Sequence, residues 1–205
     1  QYASQPPMRR LYVQRYDSLG TAQWGPTPLD VSSTAYVESD SLLADGQGGC
    51  FAVWLNDGRG LAQHFDASGT RLWPAPGVPF DTSYVYRATT VLSAAPDGGL
   101  HVSWYAYGGD AFYRVQRLSA AGERMWGVAG LPMTTNPSFF GGWMRGLASD
   151  GAGGLMAVWE DSRNNATTSN DLYAQHWTAS GTLDVPPGVP PATLALGAGP
   201  VPVPR

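Results

Sequence analysis

Apolar and polar residues alternate along this chain in short bursts, and the bursts recur. The run CFAVWLN (50–56) is followed by a DGRG turn, then LAQHF (61–65), then the loop DASGTRLW (66–73). The same unit returns over residues 98–126 and 153–183, and its second half stands alone as LYVQRYDSLGTAQW, residues 11–24. Period-two alternation bounded by Gly, Asp and Asn predicts strands and tight turns, and no stretch carries the 3.6-residue period of an amphipathic helix.

Registering the copies on Gln14, Gln63, Gln116 and Gln175 gives a repeat of about 50 residues, the length of four short strands. Strand a of each unit is short (Leu42–Ala44, Val91–Ala94, Gly146–Ala148), and a glycine-rich turn delivers strand b with Trp54, Trp104 or Trp159. Strand c carries the glutamine. Strand d is brief, at Leu29–Val31, Val78–Phe80, Leu131–Thr134 and within Val189–Leu194. The expected fold is therefore all-β, a β-propeller-like array of four-stranded antiparallel blades. It divides into a lead-in (1–8), repeats over 9–185 and a Pro/Gly-rich tail or linker (186–205). The repeats read as a leading half blade (9–40) and three full blades (41–88, 89–142, 143–194), the last running into the tail. The chain opens inside a repeat without a signal peptide, as a mature or truncated start would.

Together, the GG-x4-Trp strand, the Tyr-x-Gln strand and the D-x-x-G-x-x-x-W loop resemble the propeller-like repeats of large secreted or surface-exposed bacterial proteins. The loops DSLGTAQW and DASGTRLW also resemble the Asp-box turns of sialidase-type propellers, with Ser119 and Thr178 standing where the other copies have Asp17 and Asp66. The first resemblance implies an extracellular or cell-surface location and a non-enzymatic role. The second implies fold-stabilising turns.

Composition narrows the function classes. Charged residues are 14% of the chain and the net charge is −4, which leaves no basic surface for nucleic acid. No apolar run is long enough for a membrane-spanning helix. The lone Cys50 sits in an apolar strand and reads as a buried structural thiol. His64, His101 and His176 fall at repeated positions that point away from one another, so no metal site is expected, and no cofactor motif is present. The repeated glutamines flank apolar neighbours and are expected to tie one blade to the next. His64 and His176 are expected to face solvent.

Two features carry candidate chemistry. The connections from strand d to the next strand a hold Tyr36, then Tyr84 and Tyr86, then Phe139, Phe140 and Trp143. Aromatics gathered there could stack on sugar rings or fill a partner's pockets. Separately, Glu160 and Asp161, with Arg163 and Asp171, could serve glycoside hydrolysis or order a long loop. The reading that follows is a non-enzymatic extracellular structural or assembly subunit, completed by further copies of itself as a homo-oligomer or filament, or by the remainder of a longer chain. A lectin-like glycan-binding module is the alternative, with a sialidase-type glycosidase third.

Overall fold

The computed structural model describes residues 9–32, 37–56, 58–82, 90–106, 112–133, 143–161, 171–184 and 193–194. All the regular structure among them is β, and every strand pairing is antiparallel. A two-stranded sheet comes first, β1 (Tyr12–Val13) with β2 (Leu29–Asp30). Three four-stranded sheets follow, each a simple meander. The first holds β3 (Val37–Ala44), β4 (Cys50–Asn56), β5 (Arg59–Phe65) and β6 (Val78–Pro79). The second holds β7 (Val91–Ala94), β8 (Leu100–Ala106), β9 (Phe112–Leu118) and β10 (Leu131–Pro132). The third holds β11 (Met144–Ser149), β12 (Leu155–Asp161), β13 (Asp171–Trp177) and β14 (Thr193–Leu194).

The expected strands are present in the expected order, with shifted edges. The first strand of the first sheet extends back to Val37, and the outer strands shrink to two residues each. The four sheets are separate and do not close on themselves. The inner strands β3, β7 and β11 lie side by side in sequence order. No helix among the described residues is long and apolar enough to cross a membrane.

Three apolar layers join successive sheets. Val13 and Val31 of the leading pair pack with Cys50, Ala52, Trp54 and Phe65. Phe51, Val53 and Leu55, on the opposite face of β4, meet Leu100, Val102 and Trp104. Val115 and Trp126 meet Leu155, Ala157, Trp159 and Trp177. The tryptophans of the second strands thus seal each sheet against the one before it, as their alternation with buried small residues requires. Among the described residues no sheet precedes β1, and Tyr16 is exposed where its counterparts Phe65, Leu118 and Trp177 are buried.

One tie repeats at every junction. The indole N–H of Trp24, Trp73 and Trp126 donates to the carbonyl of Ala67, Ala120 and Ala179 respectively, always in the next repeat. The glutamines work differently from expectation. Gln63 Oε1 accepts the Trp73 N–H and its Nε2 donates to the Trp73 carbonyl, both within one repeat. Gln14 and Gln116 do the same to their own loops. A strand residue reaches the loop that follows it more readily than a neighbouring sheet, so the amide fixes the loop, and the loop's tryptophan makes the link between sheets.

The Asp-box-like loops obey one rule that the sequence disguises. Asp17 and Asp66 each accept two backbone N–H groups from their own turn through a carboxylate oxygen. Ser119 Oγ accepts from Ala121 and Glu123, and Thr178 Oγ1 accepts from Thr182. An acceptor oxygen on a short side chain is what the turn needs, and all three residue types supply it.

Candidate functional site at the strand-start end of the third sheet

The sheets have two ends. At one lie the turns between first and second strands together with the tryptophan loops; at the other, the inner strands begin and the second strands finish. At the first end the three turn aspartates are all paired. Asp45 accepts from Gln47 and Gly49 and pairs with His64 Nε2 at 3.0 Å. Asp97 pairs with Arg117 at 2.7 Å, and Asp150 with His176 at 2.9 Å.

His64 is buried, and the expectation of a solvent-facing ring is corrected: the turn aspartate supplies a partner that the spacing alone did not show. Burial pushes the Asp45 carboxyl up, but His64 and the two backbone donors outweigh it and hold it below the ordinary range. Asp150 is lowered chiefly by His176, and His176 is raised chiefly by Asp150, with help from Asp184 at 3.0 Å. His101 is fully buried and donates toward the Gly153 carbonyl at 3.3 Å; burial depresses it to about 4. Cys50 is buried and its thiol is pushed up to about 11 by burial, the state of an unreactive side chain. No group of three metal-ligating side chains gathers among the described residues.

A charged pair and an exposed aromatic lie at the other end. Glu160, the penultimate residue of β12, donates its backbone N–H to the Trp143 carbonyl at 2.9 Å, just ahead of β11. Its carboxylate meets Arg145 of β11 at 2.5 Å, and its side chain is about one-fifth exposed at 22%. The Trp143 side chain is 59% exposed, a large apolar surface beside a paired carboxylate. The ladder register shifts twice at this end, between Met144 and Gly146 in β11 and between Val37 and Asp40 in β3. Tyr105 and Tyr113 stack edge to face at 5.4 Å in the adjoining sheet, and burial raises the Tyr113 hydroxyl against a backbone hydrogen bond from Met144.

Of the aromatic candidates, Trp143 is the one the described residues include. Tyr36, Tyr84, Tyr86, Phe139 and Phe140 lie outside them, as does Arg163. Asp171 stands opposite Asp161 in the β12–β13 ladder. The Arg145–Glu160 pair was not legible in the sequence; its only trace was an arginine and a glutamate at facing positions of adjacent strands.

No family model and no curated protein matches the chain. Solved structures do. An α-L-arabinofuranosidase from Fusarium graminearum, in complex with an iminosugar inhibitor, matches at 17% identity with a TM-score of 0.50, over 87% of this chain and 52% of that one. This is a likeness of fold. A point mutant of that enzyme, again with an iminosugar inhibitor, matches at 20% identity and TM-score 0.46, over 70% and 45%. An endo-1,4-β-xylanase from Bacteroides thetaiotaomicron matches at 7% identity and TM-score 0.39, over 75% and 54%. The chain spans about half the length of the structures it matches.

The fold found at a TM-score of 0.50 is that of an enzyme, and the expectation of a non-enzymatic structural or lectin-like module is corrected on that ground. The reason is physical: the repeats specify a scaffold, and the same scaffold serves binding or catalysis according to the residues at its loop end.

Proposed function

We propose that this chain is part of a glycoside hydrolase built on a β-propeller, with the four sheets as blades and the leading pair as the outer half of one. The observation that carries the reading is the Arg145–Glu160 pair beside exposed Trp143, at the loop end of a scaffold whose fold likeness is to an arabinofuranosidase. Trp143 would stack on a sugar ring and Glu160 would act on the glycosidic bond, with Arg145 orienting the carboxylate. Hydrolysis requires a second carboxylate roughly 5–10 Å from the first. Asp40 on β3 and Asp171 on β13 are acids at the same end of the sheets. The resemblance to secreted and surface-exposed propeller repeats supports action outside the cell, where polymeric glycans are met.

The test is turnover of aryl α-L-arabinofuranosides and arabinose-containing oligosaccharides, alongside calorimetric binding of an iminosugar. Turnover that Glu160→Gln abolishes, with iminosugar binding retained, supports the reading. Absence of both turnover and iminosugar binding in the native chain, or full turnover in Glu160→Gln, overturns it.

A further inference from the structure

One position of the repeat changes character from sheet to sheet. Leu55, Tyr105 and Glu160 each follow the second-strand tryptophan, and each stands opposite a third-strand residue: Gly60, Tyr113 and Leu172 respectively. Between the first and second four-stranded sheets Leu55 is fully buried, and the Phe80 ring fills the space that a Cβ on Gly60 would need. Neither position there supplies a hydroxyl, and the apolar layer forms without one.

Between the second and third sheets the same two positions hold tyrosines. Their rings meet edge to face, and Tyr113, 4% exposed, belongs to the apolar layer that also buries Met144 and Trp159. The Tyr113 hydroxyl oxygen accepts the Met144 N–H. The carbonyl of the same peptide unit, that of Trp143, accepts the Glu160 N–H. A peptide unit is a rigid plane, so holding both of its polar atoms fixes its tilt about the strand. One hold comes from the third sheet and the other from the second.

The unit held in this way carries the candidate site on both sides. Trp143 lies before it, with its ring exposed. After it, Met144 stands opposite Trp159 and Gly146 opposite Val158, so Arg145 has no residue facing it in the ladder, and its guanidinium reaches Glu160. Without the Tyr113 hydroxyl the N–H side of that peptide loses this tie. The tilt that aims Trp143 and Arg145 would then rest on one of these bonds in place of two.

We infer that Tyr113 is a positioning residue of the candidate site, its hydroxyl holding the Trp143–Met144 peptide so that the indole platform and the Glu160 carboxylate are presented to a sugar in fixed relation. For the identity of the ligand the inference rests on the hydrolase reading. Tyr113 is buried and acts through the groups it orients, which is pre-organisation rather than contact with the reacting atoms.

Tyr113→Phe tests this, because it keeps the ring and its contact with Tyr105 and removes one oxygen. In the ligand-free native chain the Met144 amide should be protected, and in Tyr113→Phe it should exchange about tenfold faster. The indole N–H resonance of Trp143, assigned by its loss in Trp143→Phe, should shift or broaden in Tyr113→Phe. The resonances of Trp73 and Trp126 should stay in place and report an intact fold. On an aryl α-L-arabinofuranoside, kcat/KM should fall by about tenfold, with KM raised as well as kcat lowered. A chain that is only destabilised would lose active fraction, lowering kcat at constant KM. That split overturns the inference, as does a fast-exchanging Met144 amide in the native chain, or Met144 exchange and a Trp143 resonance unchanged in Tyr113→Phe. A native chain that neither turns over the arabinoside nor binds the iminosugar overturns the hydrolase reading instead, and Met144 exchange still decides whether the hydroxyl holds the peptide.

Discussion

The indole N–H of Trp73 donates to the Ala120 carbonyl at 2.8 Å, and the ring of Trp73 lies against Gly122, where an added Cβ would sit 3.0 Å from it. Gly122 also has φ of +82°, a conformation a side chain resists. Two demands thus fall on one glycine, and Gly122→Ala should cost about 1–2 kcal/mol from backbone strain alone, more with the clash. Trp73→Phe keeps the packing and loses the donor, for about 1 kcal/mol. Chemical denaturation of both variants checks the ordering; an unchanged midpoint for Gly122→Ala would show that the loop does not hold this geometry.

Gln116 is fully buried and holds both the Trp126 N–H and the Gly127 carbonyl. Replacing it with Leu strands a buried donor and should destabilise by about 1–3 kcal/mol. Because Gln116 is fully buried, Gln116→Glu should be tolerated worse than Gln14→Glu, whose site is partly open to water. Melting temperatures of the two variants give the comparison.

Trp104 is fully buried between the first and second four-stranded sheets, and its indole N–H meets Asp81 Oδ2 at 3.0 Å. Trp104→Ala should cost about 3–5 kcal/mol as a cavity. Trp54 and Trp159 occupy the same strand position, and neither indole N–H has a partner among the described residues. Trp54→Phe should accordingly cost less than Trp104→Phe, which also removes a hydrogen bond from Asp81. Equal losses would mean that the Asp81 contact contributes nothing.

His101 sets an acid limit. Its folded pKa of about 4 lies below the unfolded 6.5, so the unfolded chain binds the extra proton and stability is lost as pH falls through that window. The full effect is about 3 kcal/mol across it. His176 works in the opposite sense: its pKa is raised, so its contribution is present below the unfolded value of 6.5 and fades as pH rises through the folded one. Unfolding free energy measured from pH 4 to 6.5 should rise steeply in the native chain and much less in His101→Asn. The same steepness in both would assign the acid sensitivity elsewhere.

Sequence pattern disclosed the scaffold because strand alternation, glycine turns and the tryptophan spacing are local signals repeated several times over. It failed where one residue type can answer two demands. A glutamine with apolar neighbours reads as a bridge in any direction, and only the position of the Trp73 and Trp126 loops decides that the bridge is internal. His64 looked like a surface residue because Asp45, its partner, sits across a ladder rather than nearby in sequence. The Arg145–Glu160 pair was hidden for the same reason. Trp143 was singled out with the other aromatics of the connections between sheets, and the structure shows its ring exposed.

The tryptophan-to-alanine bonds run one way only, from each repeat to its successor, and no residue skips a neighbour to make them. The molecule is therefore a sequence of couplings in series. In such a one-dimensional array each junction, with its apolar layer and its tryptophan bond, carries the coupling between what lies before and what lies after. Loss of the Trp73 contact would weaken the junction between the first and second four-stranded sheets, which the apolar layer of Phe51, Val53, Leu100 and Trp104 still joins. Amide exchange at that junction should then show a lower opening energy than at the junctions whose tryptophan bond is intact.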